Sequence, residues 1–263
     1  HARSAGVLGG CHRRSDGRSI AVSIDAGIQV GVVYPQIELN GDPEAVRSLA
    51  DAVEAQGYRH LVAYDHVLGA DHANREPELT GPYDEDDPFH DPFVLFAYLA
   101  GRSETLEFAS GILILPQRQT ALVAKQAADL AVLSGDRFRM GVGVGWNPVE
   151  YDALGEDFST RGRRADEQIG LLRRYWSERT VSFAGRFDRV DRAGILPRPL
   201  QPVPVWIGGF GDASLRRAVA LGDGFIFGGP RIGVQRSWER LKDLLHEAGR
   251  PLDGFGAEYL ILS

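Results

Sequence analysis

The sequence predicts an α/β fold, a TIM (β/α)8 barrel that lacks its eighth strand in this chain. Strand-like and helix-like segments alternate along the chain. The strand segments are near-continuously apolar instead of alternating, as in a parallel sheet covered on both faces. A length of 263 residues, 43% hydrophobic and 25% charged, suffices for one large α/β domain or two ordinary ones. Seven barrel-type strands can be traced, and closure needs eight. A doubly wound sheet is the alternative fold.

The first strand is read at Ile28 to Tyr34. Asp42 as N-cap and Pro43 at the first helical position open a helix that runs to about Gln56, where Gly57 stops it. Tyr58 to Tyr64 completes a β-α-β unit. Residues Asp71 to Asp91 are acidic and bear Pro and Gly, with a charge run at Asp84 to Asp87, and read as a long solvated surface loop. An apolar helix follows from about Pro92 to Gly101, then a third strand from Leu106 to Leu115 and a helix from about Ala121 to Leu133. The fourth strand lies in the glycine-rich stretch Arg137 to Gly155, and the next helix spans roughly Thr160 to Ser177. Val181 to Val190 reads as a hairpin, because Ala184-Gly185-Arg186 sits between two β-prone runs. Pro204 to Gly208, a helix from about Asp212 to Leu221, Gly224 to Phe227, a charged helix from about Val234 to Ala248, and Glu258 to Leu262 complete the series.

A net charge of −7 and a pI near 5.5 argue against a nucleic-acid binder, which would show a basic face, and leave small molecules as the expected partners. The single cysteine, Cys11, can form neither an intrachain disulfide nor a cysteine-based zinc site, which fits a reducing cytoplasm. No segment approaches the roughly 18 apolar residues of a membrane span, and the basic N-terminal stretch has no apolar core of signal-peptide length. Residues 1–26 are read as an N-terminal tail and 27–263 as the barrel domain. Ser19 to Asp25 is the one spare strand-like run, and so the candidate to fill the eighth position.

Ligands of such barrels bind at the carboxyl ends of the strands. There the chain places Tyr64-Asp65-His66, Ser110-Gly111-Ile112, Gly145-Trp146-Asn147, Gly208-Gly209 and Gly228-Gly229. Gly141, Gly143 and Gly145 admit two readings: close approach of a ligand to backbone, or small residues needed for packing against neighbouring strands. After Gly208 the chain passes through Gly209 and Gly211 into a helix with Asp212 as expected N-cap, and free N–H groups there suit a phosphate. His66 beside Asp65 reads as an acid/base pair, a loop-stabilising pair or a metal pair. No His-Glu-x-x-His spacing occurs and no metal site is assigned.

Ala63 to Gly69, Glu107 to Gly155 and Ile195 to Ile226 carry separate motifs in a fixed order, and together they resemble the luciferase-like monooxygenase superfamily, in particular its F420-dependent oxidoreductase branch. The resemblance covers about Ile28 to Ser263. It implies a barrel with an insertion near its mouth, usually a homodimer. It further implies a non-proline cis peptide at Gly111-Ile112 or Ser110-Gly111, against which a deazaflavin ring lies. Cofactor contacts are implied at Asp65, Gly111, Ile112, Val144, Gly145, Gly209, Gly211, Asp212, Ala213 and Ser214. His66 is the expected proton donor or acceptor, since an imidazole titrates near neutral pH, with Asp65 orienting it or touching the ring. Tyr34 and Trp146 are the expected substrate-pocket residues. Trp146 stands where sugar-phosphate dehydrogenases of the family place a carboxylate, and Ile114 replaces a hydroxyl found in some relatives. The resulting expectation is an F420-dependent oxidoreductase acting on a small organic molecule. An FMN-dependent monooxygenase and a non-catalytic flavin-binding protein are the alternatives, with metal-dependent hydrolysis faintly supported by the histidines.

Overall fold

The computed structural model describes residues 27–261, in which parallel strands curl around a filled interior with helices outside. The chain order is β1 (Val32–Val33), α1 (Gln36–Leu39), α2 (Pro43–Ala55), β2 (His60–Ala63), α3 (Pro92–Ala100), β3 (Glu107–Ser110), β4 (Leu113–Ile114), α4 (Thr120–Ser134), β5 (Phe138–Gly143), α5 (Pro148–Ala153), α6 (Arg161–Ser177), β6 (Val181–Ala184), β7 (Arg189–Ala193), β8 (Val205–Gly208), α7 (Asp212–Leu221), β9 (Gly224–Phe227), α8 (Arg231–Glu247) and β10 (Gly256–Tyr259). The sheet follows β1-β2-β3-β5-β8-β9-β10, with β4 carrying the third strand onward against β5. All of these pairings are parallel, and β6 with β7 makes a separate antiparallel hairpin. This is an incomplete (β/α)8 barrel. Cys11 and the candidate plug Ser19 to Asp25 lie outside the described residues. No described helix is long and apolar enough to cross a membrane.

Local chemistry explains the helices that frame the sheet. The Asp42 carboxylate accepts from the Glu44 N–H at 2.8 Å, Pro43 occupies the first helical position, and Val46, Ala50 and Val53 repeat at helical spacing to form the buried stripe of α2. Asp91 repeats the device for α3, accepting from the Phe93 N–H at 2.9 Å ahead of Pro92 and a nearly all-apolar helix. Phe96 of α3 packs on Phe108 of β3 with ring centroids 5.3 Å apart, both fully buried. Burial of one such side chain contributes about 1.5–3 kcal/mol.

A few large side chains fill the barrel interior, each accommodated by glycines on neighbouring strands. Near the amino ends of the strands, Trp206 occupies the space that Cβ atoms at Gly224 and Gly256 would take, and His60 occupies that of Gly31. Arg139 lies over the Trp206 ring at 4.0 Å. Its Nη2 is 2.6 Å from Glu258 Oε2, while Glu258 Oε1 is 2.6 Å from His60 Nε2. Three ionisable side chains from β2, β5 and β10 thus meet across the interior. Nearer the mouth, Ile112 takes the space that side chains at Gly143 and Gly208 would need.

Three expectations need correction. The third strand is not continuous from Leu106 to Leu115: it divides into β3 and β4 at a cis Gly111-Ile112 peptide. The stretch Asp71 to Asp91 is not simply solvated, because Leu79 is buried and Gly81 lies against the Trp146 indole. Asp212 is not the cap of α7; Gly211 is the N-cap and Asp212 is the first helical residue.

Candidate active site

The polar residues at the carboxyl ends of β2 and β5 and after β4 form two linked clusters. In the first, Asp65 follows β2 with its side chain fully buried. Its Oδ1 accepts from Arg118 Nη2 at 2.6 Å and its Oδ2 from the Ile114 N–H at 2.9 Å. Arg118 also meets Asp91 Oδ2 at 2.9 Å, so one guanidinium ties the β2 turn to the N-cap of α3. Burial pushes the Asp65 carboxyl above its ordinary value, against the pull of Arg118 and the Ile114 N–H. Arg118, despite its own burial, is held further into its charged form by Asp65 and Asp91.

In the second cluster, His66 is turned the other way. Its Nδ1 is 3.3 Å from Oε2 of Glu150, whose side chain has no exposure. Glu150 Oε1 accepts from the Val67 N–H at 2.6 Å and approaches the Leu68 N–H at 3.4 Å. Burial alone would raise the Glu150 carboxyl, yet the facing donors of His66 and Gln117 and the bond from the Val67 N–H outweigh it and hold the group below its ordinary value. The carboxylate is placed by α5, a one-and-a-half-turn helix capped by Asn147, which accepts from the Val149 N–H at 3.0 Å. Tyr151 anchors that helix from beneath by donating to the Val144 carbonyl at 2.8 Å. Around His66 the rings of Phe89, Tyr83 and Trp146 stand at 4.9, 5.3 and 5.9 Å between centroids, and His72 lies 6.3 Å from Trp146.

The glycines of the fourth strand answer first to neighbouring groups. A Cβ at Gly141 would overlap the Ser110 carbonyl, at Gly143 the Ile112 side chain, and at Gly145 the Ile114 Cγ2 at 2.7 Å. Packing against the β3–β4 bulge therefore requires all three, and at Gly145 a φ of +63° adds a backbone reason. Val144 is half-buried beside it.

On the far side of the mouth, β8 runs through Gly209 and Gly211 into α7. The hydroxyl of Ser214 donates back to the Gly211 carbonyl at 2.6 Å, and no atom lies within 4 Å of a Cβ built on Gly211. The first N–H groups of a helix, here those of Asp212 and Ala213, have no intrahelical acceptor. Asp212 Oδ2 accepts from Arg216 Nε at 2.7 Å and its Oδ1 from Arg240 Nε at 2.9 Å. Those bonds hold its carboxyl below the ordinary value and pair its charge with two guanidinium groups.

The structure thus bonds Asp65 to the Ile114 N–H, packs Ile114 on Gly145 and Ile112 on Gly143 and Gly208, and sets the Trp146 ring beside His66, while Gly209 to Ser214 occupy a separate stretch of rim. Tyr34, at the end of β1, is buried with its hydroxyl unpartnered and its ring 6.5 Å from His90. Burial pushes that hydroxyl up to about 12. Gln36 Nε2 and both amide atoms of Gln117 are likewise buried without partners. Among the described residues, no three His, Cys, Asp or Glu side chains converge as metal ligands would. Glu150, Arg118 and Gln117 are not marked as site residues by the sequence pattern. The one signal for Glu150 is Asn147-Pro148, a helix start that places it in the first turn after the strand.

Fold and site together define a barrel enzyme whose titratable groups gather where the strands end. The chain belongs to the luciferase-like monooxygenase family, whose model matches residues 20–259, and it is an oxidoreductase of that family. It is 36% identical over 221 residues to an uncharacterised protein of Mycobacterium tuberculosis, with 79% of this chain and 76% of that protein covered. It is 27% identical over 217 residues to the F420-dependent glucose-6-phosphate dehydrogenase of Nakamurella multipartita, covering 80% of this chain and 60% of that enzyme. The solved structure of an F420-dependent secondary alcohol dehydrogenase in complex with an F420-acetone adduct superposes with a TM-score of 0.73 at 19% identity, covering 89% of this chain and 68% of that one. FMN-dependent monooxygenases are also among the similar proteins.

Proposed function

We propose that this chain is an F420-dependent oxidoreductase that moves a hydride between the deazaflavin and a small organic substrate. The observation that supports this reading most is the bond from the Ile114 N–H to Asp65, at 2.9 Å. It joins the turn bearing His66 to the β3–β4 bulge, so that a proton-transfer group and a cofactor platform are constrained as one unit. The bulge presents Ile112 toward the mouth, flanked by Gly143 and Gly208. The unpartnered polar atoms of Tyr34, Gln36 and Gln117 fit the polar edge of a heterocycle, and the open space at Gly211 fits a phosphate on the N-terminus of α7. When bound, the deazaflavin supplies the hydride chemistry. The protein's part is to bind, orient and exchange a proton at His66, with Asp65 holding the bulge and Trp146 forming an aromatic wall.

The identity of relatives on both sides favours a second reading, an FMN-dependent monooxygenase. Separate fluorescence titrations with F420 and FMN decide between them. Binding of F420 is expected; tight FMN binding without F420 binding supports the second reading, and binding of neither overturns both. The homodimer implied by the resemblance and the cytoplasmic location that the single cysteine fits belong to this proposal, and the exposed side chains of Val94, Tyr98, Leu122 and Leu133 on α3 and α4 are compatible with an apolar interface. Sedimentation of the purified chain tests the oligomeric state.

A further inference from the structure

Glu150 is buried in a way that its own helix does not explain. One oxygen is used fully, by the Val67 and Leu68 N–H groups. The other, Oε2, accepts no well-formed hydrogen bond, although His66 Nδ1 stands 3.3 Å away. A buried carboxylate oxygen without a donor is costly, and a proton on the facing imidazole nitrogen removes that cost. The two nitrogens of an imidazole are not equivalent: the partner of one fixes what the other can do.

We propose that Glu150 is the positioning residue of the reaction, holding a proton on His66 Nδ1 so that Nε2 is left as the atom that exchanges a proton with substrate. This rests on the role given to His66 under the proposed function. In the oxidative direction, Nε2 would take the proton of a substrate alcohol as its O–H bond breaks, and the deazaflavin, when bound, would supply the acceptor for the hydride on the carbon bearing that oxygen. The imidazolium so formed keeps its second N–H on the Glu150 carboxylate, which balances the new charge. In the reductive direction Nε2 returns the proton. Asp65 cannot fill this role, because Arg118 and the Ile114 N–H occupy both of its oxygens. Gln117 is the competing donor for Oε2, and the test separates it from His66.

The test is the tautomer of neutral His66, read from long-range proton–nitrogen correlation spectra of the nitrogen-15-labelled protein without cofactor. The wild type should show the Nδ1–H form. In Glu150→Gln, the amide oxygen keeps the Val67 and Leu68 N–H groups while the amide NH2 faces Nδ1, so the tautomer should invert to Nε2–H. Turnover should fall roughly 10–100-fold, the range for residues that orient a functional histidine, with cofactor affinity unchanged. An Nε2–H form in the wild type, as expected if Gln117 were the donor, overturns the proposal, as does the same tautomer in both proteins. Inversion with unchanged turnover also overturns it. If Glu150→Gln does not fold, the wild-type spectrum decides. If the protein binds no F420, the paired spectra still decide the Glu150–His66 link, so failure of the cofactor reading is seen separately.

Discussion

His66 owes its position to neighbours on two sides: Glu150 beneath Nδ1 and an aromatic surround of Phe89, Tyr83 and Trp146. Replacing it by alanine should lower kcat by about 10²–10⁴, the usual contribution of a general acid or base, while leaving cofactor affinity intact. Steady-state kinetics and a fluorescence titration check the two halves of that statement, and unchanged turnover would remove the imidazole from the mechanism. Trp146 touches His66, His72 and the Gly81 backbone, so Trp146→Ala should raise KM several-fold more than it lowers kcat, a split measured with any accepted substrate. Asp65 and His66 stand out in the sequence because an Asp-His pair at the end of an apolar strand is unusual. Glu150 was not legible, since a glutamate in a short polar segment reads as solvent-facing and only the packing of α5 turns it inward.

At the scale of elements, the β3–β4 bulge organises the site, and β5 is shaped to receive it. Gly141→Ala places a Cβ against the Ser110 carbonyl, a backbone atom that cannot rotate away. The substitution should destabilise the fold by about 1–3 kcal/mol, as overpacking does, and should weaken cofactor binding; a denaturant midpoint shift together with a titration measures both. The alternation of strands and helices was readable because long apolar runs and capped helices announce themselves, as Asp42-Pro43 and Asp91-Pro92 do. The break in the third strand was readable only through the resemblance, since Leu106 to Leu115 is apolar throughout. The short helices α1 and α5 were missed for a different reason: four and six residues are too few to show helical periodicity. The cap of α7 was misplaced because Asp is a good N-cap by type, but here it is drawn off by Arg216 and Arg240.

Across the whole molecule, the cluster of His60, Arg139 and Glu258 was invisible in the sequence, because 198 residues separate His60 from Glu258. Burial would raise the Glu258 carboxyl, but bonds from His60 and Arg139 hold it below its ordinary value of 4.5. A carboxyl with a depressed folded value contributes its full stability above the unfolded value and loses it as pH falls through the folded one. Thermal midpoints should therefore drop as pH is lowered through 4.5 and below, with Glu150 adding to the same trend. Glu258→Ala should cost about 1–3 kcal/mol at neutral pH by leaving the partly buried Arg139 without its partner, and its midpoint should respond less to acid. The same cluster bears on motion. A strand at the end of a sheet ordinarily frays, and its amides exchange with solvent by small local openings. β10 is pinned from inside by Glu258, and its Gly256 lies under the Trp206 ring, so releasing it means pulling a charged side chain off two partners and opening the floor of the barrel. The Gly256 and Leu260 amides, which donate to the Asp223 and Phe227 carbonyls, should accordingly share the slow, global exchange of the central strands, while the Ala257 and Tyr259 amides on the open edge exchange fast.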